Sequence, residues 1–219
     1  MWKKNCNHLV FENYKTDTHI DISNFWSLFW KTLRYRPTEL CSIAFNSVKI
    51  KFYRLRFRKI LLGKQNFFVG KFIIDMLEQE DTGSRISFGN HNLIRYEQHK
   101  NHFRLLHKGQ IEIGNNNFLN GVFMYCYKKI KIGNNVMIGW GTELIDTDAH
   151  PIDKTHALKS KEIVIEDDVW ISNNVTVLKG VKIGKGSVIG ARSVVISDVK
   201  PHSLYAGNPA RFIKKIGPR

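Results

Sequence analysis

One aliphatic residue returns at every sixth position between Ile163 and Val199. The repeat occupies Ile165, Ile171, Val177, Ile183, Ile189 and Val195. An amphipathic helix repeats near 3.6 residues and a half-buried strand near 2, so neither accounts for a period of six. A β-solenoid does, because each unit is one short strand and a corner whose aliphatic side chain points at the axis. A second inward position follows four residues later, at Val169, Val175, Val181, Ser187, Ser193 and Val199.

The same pattern extends upstream, with one interruption. A unit of Ile-Gly-Asn type recurs at Ile113, Ile132 and, without the Asn, at Ile138, and Phe88-Gly89-Asn90 resembles it. The sequence therefore predicts that the coil is under way by about residue 86. The six-residue step runs from Ile113 through Leu119 and Tyr125, slips by one residue to Ile132, and resumes through Ile138 to Leu144. The slip predicts a bulged corner at residues 127–129.

Composition favours a single folded domain with an extension. The chain has 219 residues, 42% of them hydrophobic and 24% charged, which is enough for one sizeable core. Its three cysteines, Cys6, Cys41 and Cys126, are widely spaced, which suggests neither a disulfide framework nor a thiolate zinc site. The first residues are basic but lack the apolar segment of a signal peptide. We therefore expect a cytoplasmic protein.

Positive charge is concentrated towards the N-terminus. Residues 1–72 carry 14 Lys and Arg against 4 Asp and Glu, within a total formal charge of +15. No motif of a nucleic-acid reader accompanies this charge, so an anionic glycan or contact with an anionic membrane face is favoured over nucleic acid. Packing of these residues against the coil is favoured over lipid binding. We expect residues 1–72 to form a basic extension, a helix near residues 24–34 followed by irregular strands that cap the coil. Residues 73–205 then form the coil, and residues 206–219 a terminal segment.

The spacing of the repeat breaks between Leu144 and Ile165. These residues are 21 positions apart, so the sequence predicts a loop, residues 145–162, between two turns of the coil. Loops on rigid scaffolds commonly carry function. His150 in this loop titrates near neutral pH, and Asp146 and Asp148 are close enough in sequence to orient its ring. A solvated histidine beside turn-forming aspartates is the alternative that this segment alone leaves open.

Together these segments resemble the hexapeptide-repeat acetyltransferases. The resemblance covers about residues 86–215. It rests on the repeat itself, Asp-Thr-Asp-Ala-His-Pro at 146–151, Val169-Trp170-Ile171, Gly-Val-x-Ile-Gly at 180–184, Val188-Ile189-Gly190-Ala191, and Ala-Gly-Asn-Pro-Ala at 206–210. It is closest to the branch of sugar, xenobiotic, capsule and exopolysaccharide O-acetyltransferases. The resemblance implies a left-handed parallel β-helix, a homotrimer, and active sites between subunits where acetyl-CoA lies along the coil.

The resemblance also assigns roles to individual residues. His150 corresponds to the general base, which takes the proton of an acceptor hydroxyl as that hydroxyl attacks the thioester. Asp148 is the expected orienting group for the ring, with Asp146 as the alternative. Trp170 corresponds to a tryptophan near the thioester and acceptor, and Asn120 to an asparagine that polarises the acceptor site. Packing between subunits is the structural alternative for Trp170.

For acetyl-CoA, the resemblance places the pantetheine arm against Asn173 and Ala191. Ser197 is assigned to the same binding set. Arg211 and Lys214 correspond to basic residues that meet the phosphates of CoA. The family usually has Gly after Trp-Ile, whereas this chain has Ser172, so the groove beside the pantetheine differs here.

The expected activity is O-acetylation of a sugar hydroxyl in a polysaccharide or its lipid-linked precursor. A small-molecule acetyltransferase acting on a xenobiotic or a galactoside is the alternative. Two further alternatives are a zinc enzyme of the γ-carbonic anhydrase type, using His150 and His156, and a non-catalytic scaffold. No metal is expected, because no third histidine stands on the repeat.

Overall fold

The computed structural model describes residues 46, 48–51, 60–76, 83–96, 98–151 and 158–218. The helix predicted near residues 24–34 lies outside these residues, and so does His156. The regular secondary structure of the described residues is almost entirely β-strand. None of its helical residues forms a helix long and apolar enough to cross a membrane.

In the described residues twenty short strands build three sheets that wind as a left-handed β-helix. Their pairings are parallel except for that of the last two strands, Ser203–Ala206 and Arg211–Lys215, which is antiparallel. Sheet A contains β1 (Ile60–Leu62), β4 (Arg85–Phe88), β7 (Gln110–Ile113), β10 (Lys129–Ile132), β13 (Ile163–Ile165) and β16 (Lys182–Ile183). Sheet B contains β2 (Phe67–Val69), β5 (Leu93–Arg95), β8 (Phe118–Asn120), β11 (Met137–Ile138), β14 (Trp170–Ile171), β17 (Val188–Ile189), β19 (Ser203–Ala206) and β20 (Arg211–Lys215). Sheet C contains β3 (Phe72–Met76), β6 (Asn101–Leu105), β9 (Phe123–Cys126), β12 (Glu143–Ile145), β15 (Thr176–Leu178) and β18 (Val194–Val195). Three consecutive strands, one per sheet, make one coil, and β1–β18 make six coils.

The predicted repeat is the hydrophobic core. All six aliphatic residues of the ladder between Ile165 and Val195 are at most 1% exposed. Ile165 pairs with Ile183, and Ile171 pairs with Ile189, so three six-residue units complete one coil. The second inward position is also buried, including both of its serines. The fold class predicted from the period is therefore confirmed.

Two details of the upstream coils differ from the predictions. Met124 rather than Tyr125 is the inward residue of β9, because the chain turns at Gly121 with φ of +60° and shortens that step to five residues. Tyr125 points outward and stacks on Phe123, with ring centroids 6.2 Å apart. The corner predicted at residues 127–129 is present, and it closes around the side chain of Asp146.

The coil begins earlier than predicted. Ile60 in β1 pairs in register with Ile86 in β4, so residues 60–72 belong to the first coil and not to the extension. The six-residue step is present in this coil at Leu62, Phe68 and Ile74, but eight residues separate β3 from β4 and interrupt the spacing. The core of this coil also contains large aromatic residues. Phe68 and Phe72 pack there with ring centroids 5.0 Å apart.

The exposed end of the first coil is covered by helical residues at 46 and 48–51. Asn46 donates its amide hydrogens to the carbonyl oxygens of Phe68 and Gly70, at 2.8 and 2.7 Å. Lys49 donates to Phe72 O at 2.9 Å, and Ile50 completes the core at 5% exposed. These contacts satisfy carbonyl groups at an end of the coil that no further coil of the described residues covers.

The Gly-Asn units form hydrogen-bonded ladders at one corner of the coil. Asn115 donates its backbone and side-chain N–H groups to Asn134 Oδ1, both at 2.9 Å, and Asn134 does the same to Asp167. Glycine precedes the asparagine because a Cβ on Gly133 would collide with Asp167 of the next coil. The motif read from sequence therefore fixes the stacking of successive corners.

Candidate active site

The loop predicted at residues 145–162 is a hairpin that projects from the corner between sheets C and A. It leaves the coil after β12 and returns before β13. Thr147 bridges Ser160 in antiparallel fashion, and Asp148 N donates to Lys159 O at 3.1 Å. Lys161 N donates to Asp146 O at 2.9 Å, which closes the root of the hairpin. Residues 152–157, at its far end, lie outside the described residues.

His150 is exposed on the outgoing arm of this hairpin. Ala149 adopts a positive φ of 62° and donates its N–H to Thr147 Oγ1 at 3.2 Å, which turns the chain sharply. His150 N then donates to Asp148 O at 2.7 Å. The imidazole is thus held on a hydrogen-bonded turn and remains accessible to a substrate.

Asp148 connects the hairpin to the following coil. Its carboxylate forms an ion pair with Lys179, in which both side chains are partly buried. The contact from Asp148 to His150 is made by the backbone oxygen. Lys179 directly follows β15, whose Leu178 pairs with Ile145 of β12. Sequence reasoning missed Lys179, although this register was available from the spacing of the repeat.

Asp146 faces the coil and not the histidine. It is fully buried, and its Oδ1 accepts the N–H of Tyr127 at 2.7 Å. Its Oδ2 accepts the N–H groups of Lys128 and Lys129 at 2.7 and 2.8 Å. Both oxygens are therefore occupied by the corner at residues 127–129. Asp146, the alternative orienting group, therefore directs its carboxylate at this corner and not at the His150 ring.

Burial dominates the electrostatics of this corner. Loss of solvation raises the pKa of Asp146, against the opposing effect of the three backbone N–H groups. Cys126 Sγ lies 3.6 Å from Asp146 Oδ2, and burial together with the neighbouring carboxylate raises the pKa of its thiol far above the usual range. Cys126 is thus a protonated, buried side chain.

Trp170 and Asn120 lie on a different side of the coil from His150. Both belong to sheet B, where β8 and β14 flank β11. Trp170 is 40% exposed and aligns with Met137 and Val188, whereas Asn120 is only 5% exposed. Sheet B is opposite the corner that carries the hairpin. The structure therefore does not bring these two residues to the His150 of the same chain.

The residues assigned to acetyl-CoA fall into two groups. Asn173 and Ala191 follow β14 and β17 at the corner between sheets B and C, and Asn173 O accepts Arg192 N at 3.0 Å. Arg211 and Lys214 are exposed on β20, which pairs with β19 at the end of sheet B. These four residues therefore lie on or beside the C-terminal strands of sheet B. Ser197 follows β18 near the corner between sheets C and A, and so lies apart from them.

The alternative of a zinc enzyme requires a group of side chains that can coordinate a metal ion. Among the residues that the structure describes, no three His, Cys, Asp or Glu side chains are grouped so that they would hold a metal ion.

Comparison with known proteins agrees with this architecture. Residues 162–197 match the family described as bacterial transferase hexapeptide, six repeats. A protein of Schizosaccharomyces pombe named as an acetyltransferase is 48% identical over 91 residues. That match covers 40% of this chain and 44% of the yeast protein, so the chain spans less than half of this relative's length.

Two solved structures cover most of the chain. An N-acyltransferase from Bacillus cereus, in complex with dTDP and coenzyme A, is 21% identical with a TM-score of 0.57, over 75% of this chain and 88% of its own, which shows the shared fold. A hexapeptide-repeat-containing acetyltransferase from Vibrio cholerae is 31% identical with a TM-score of 0.51, over 77% of this chain and 81% of its own. Taken with the buried six-residue repeat and the projecting His150 hairpin, this similarity shows that the chain belongs to the hexapeptide-repeat acetyltransferases.

Proposed function

We propose that this protein transfers the acetyl group of acetyl-CoA to a hydroxyl of a sugar in a polysaccharide or its lipid-linked precursor. The observation that carries the proposal is the exposed His150, held on a hairpin that the coil anchors on both sides. Membership of the hexapeptide-repeat acetyltransferases supports the acetyl donor.

His150 acts as the general base. A sugar hydroxyl is a weak nucleophile at neutral pH, and a neutral imidazole within hydrogen-bond reach takes its proton during attack. The acceptor oxygen forms a bond to the thioester carbonyl carbon, and the carbon–sulfur bond then breaks. The proton passes from His150 to the departing thiolate of CoA. Cys126 takes no covalent part, because its thiol is buried and held protonated beside Asp146.

The complete site forms between subunits of a trimer. Trp170 is exposed on sheet B, whereas His150 projects from the opposite corner of the same coil. Side chains on opposite sides of a rigid coil act on one substrate only when sheet B of one subunit faces the hairpin of its neighbour. Acetyl-CoA then lies along sheet B, with its phosphates at Arg211 and Lys214. We place Asn120 beside the acceptor.

Charge supports a large anionic acceptor. Residues 1–72 contribute most of the net positive charge of the chain, and such a field raises the rate of encounter with a polyanion. Lys159 and Lys161 are exposed on the returning arm of the hairpin, beside the proposed acceptor site. An anionic glycan assembled at the cytoplasmic face of a membrane fits both features.

An acetyl-CoA consumption screen tests the proposal. The full chain is assayed against free sugars, antibiotics, and neutral and acidic oligosaccharides, beside a variant whose Lys and Arg residues at positions 1–36 are changed to Gln. We expect turnover of acidic oligosaccharides that decreases with salt and in the variant. Salt-independent acetylation of chloramphenicol or a simple galactoside would instead indicate a small-molecule enzyme. Failure to bind CoA in calorimetry would favour a non-catalytic scaffold.

A further inference from the structure

We infer that Asp146 is a positioning residue, whose carboxylate fixes the root of the hairpin on the preceding coil and thereby sets the location of His150. The inference rests on the proposed role of His150. The sequence does not distinguish Asp146 from Asp148. In the structure Asp146 binds the preceding coil and Asp148 binds the following coil.

The first step is the unusual set of partners of Asp146. A fully buried carboxylate is ordinarily paired with a cation. Among the described residues, the partners of this carboxylate are the three N–H groups of residues 127–129 and the thiol of Cys126. Three converging N–H groups make an anion-binding corner, and the protein fills that corner with its own side chain.

The second step is the connection from this corner to the histidine. Asp146 N donates to Tyr125 O at 3.2 Å, and Asp146 O accepts Lys161 N at 2.9 Å, so both arms of the hairpin begin at this residue. Gly180 N donates to Lys161 O at 3.2 Å, which attaches the returning arm to the next coil. His150 is four residues beyond the root on a bonded arm. A displacement at Asp146 is therefore transmitted to the imidazole.

The third step explains why the position requires a carboxylate. An ionised carboxylate only accepts hydrogen bonds, whereas the amide of asparagine has one accepting oxygen and one donating NH₂ group. In Asp146→Asn, that NH₂ group faces backbone N–H donors, and at least one amide of residues 127–129 loses its acceptor. The substitution keeps the size of the side chain and removes the anchor.

The experiment compares Asp146→Asn with Asp167→Asn, each alone and combined with His150→Ala. Asp167 is a matched control, because its carboxylate also accepts a backbone N–H at a corner, that of Asn134 at 2.7 Å, but away from the hairpin. We expect Asp146→Asn to lower kcat about 10- to 100-fold, the order expected for a displaced catalytic group, with CoA affinity within about twofold. Asp167→Asn keeps its kcat. In the His150→Ala background, Asp146→Asn has no further effect.

Full kcat in Asp146→Asn, or an undiminished effect in the His150→Ala background, would overturn the inference. The NMR resonances of the His150 ring provide a readout that does not depend on activity. They shift in Asp146→Asn and stay unchanged in Asp167→Asn if Asp146 positions the hairpin, and unchanged resonances in both variants would also overturn the inference. If Asp146→Asn does not fold, Asp146→Ser, which keeps one accepting oxygen, takes its place. An active His150→Ala protein would refute the histidine mechanism, and the ring resonances would then decide the positioning role separately.

Discussion

The sulfur of Cys126 lies 3.6 Å from Oδ2 of Asp146, where the third coil meets the root of the hairpin. Both side chains are fully buried. The thiol and the carboxylate thus form one packed unit beneath the loop that carries His150.

Cys126 will not react with thiol reagents in the folded protein. Burial and the adjacent carboxylate raise the pKa of its thiol, and the thiolate is the reactive species. In a Cys6→Ser, Cys41→Ser background, we expect no labelling by a chromogenic disulfide reagent at pH 8 until denaturant is added. Rapid labelling of the native protein would show that the corner is open to solvent.

Asp146 will make stability depend on pH in a direction opposite to that of most aspartates. Burial raises its pKa in the folded state, so the folded chain binds this proton more tightly than the unfolded chain. Wild type therefore gains stability relative to Asp146→Asn below the unfolded-state pKa. This gain is lost as pH rises through the folded-state pKa. Thermal melts of both proteins between pH 4 and 8 measure the difference. If wild type instead gains stability relative to Asp146→Asn as pH rises, the three backbone amides lower the pKa of Asp146 by more than burial raises it.

His150→Ala will remove most of the turnover and leave CoA binding nearly intact. A general base typically contributes about 10²–10⁴-fold to the rate and acts on the acceptor. Because the side chain is exposed, the melting temperature stays close to that of wild type. Steady-state kinetics and calorimetry measure the two effects. A His150→Ala protein with wild-type kcat would contradict the mechanism.

The double variant Arg211→Ala, Lys214→Ala will weaken CoA binding and reduce its dependence on salt. Both side chains are exposed on β20, and phosphate contacts of this kind are screened by ions. The control is Lys64→Ala, Lys71→Ala, which removes the same charge from exposed sites on the first coil. Titrations of CoA at two salt concentrations compare the pairs. An equal loss of CoA affinity in both double variants would show that β20 has no specific role in binding the phosphates.

Asn117→Ala will destabilise the coil by about 2–3 kcal/mol, because each buried partner left unpaired costs about 1–3 kcal/mol. Asn117 is 2% exposed; its amide donates to Gly133 O at 3.0 Å and accepts Val136 N at 2.7 Å. Asn66→Ala is the comparison, since Asn66 occupies the same ladder where water replaces lost contacts more easily. Urea unfolding measures both. A smaller loss for Asn117 than for Asn66 would contradict the buried ladder.

The sequence predicted the later coils better than the early ones. Between Ile165 and Val195 each sheet receives one short strand every 18 residues, so the period of six is unbroken. In the first coil eight residues separate β3 from β4, and Phe68 and Phe72 fill space that smaller residues fill elsewhere. A period of six followed back from the later coils is lost at this gap. The start at Ile60 therefore became visible only from the pairing of strands.

The candidate site was predicted in part for a similar reason. The broken spacing after Leu144 located the hairpin and its histidine. The spacing did not distinguish Asp146 from Asp148, because residues two positions apart on an extended segment point to the same face. Their difference comes from partners distant in sequence, the corner at residues 127–129 and Lys179.

The hydrogen bond between Lys161 N and Asp146 O closes the base of the hairpin, and strands β12 and β13 lie in the coil on either side of it. Everything between these two residues is topologically a side branch. An arm of different length or sequence grafted between them would leave the register of all six coils unchanged. The hairpin can therefore vary in length and sequence without changing how the coils stack.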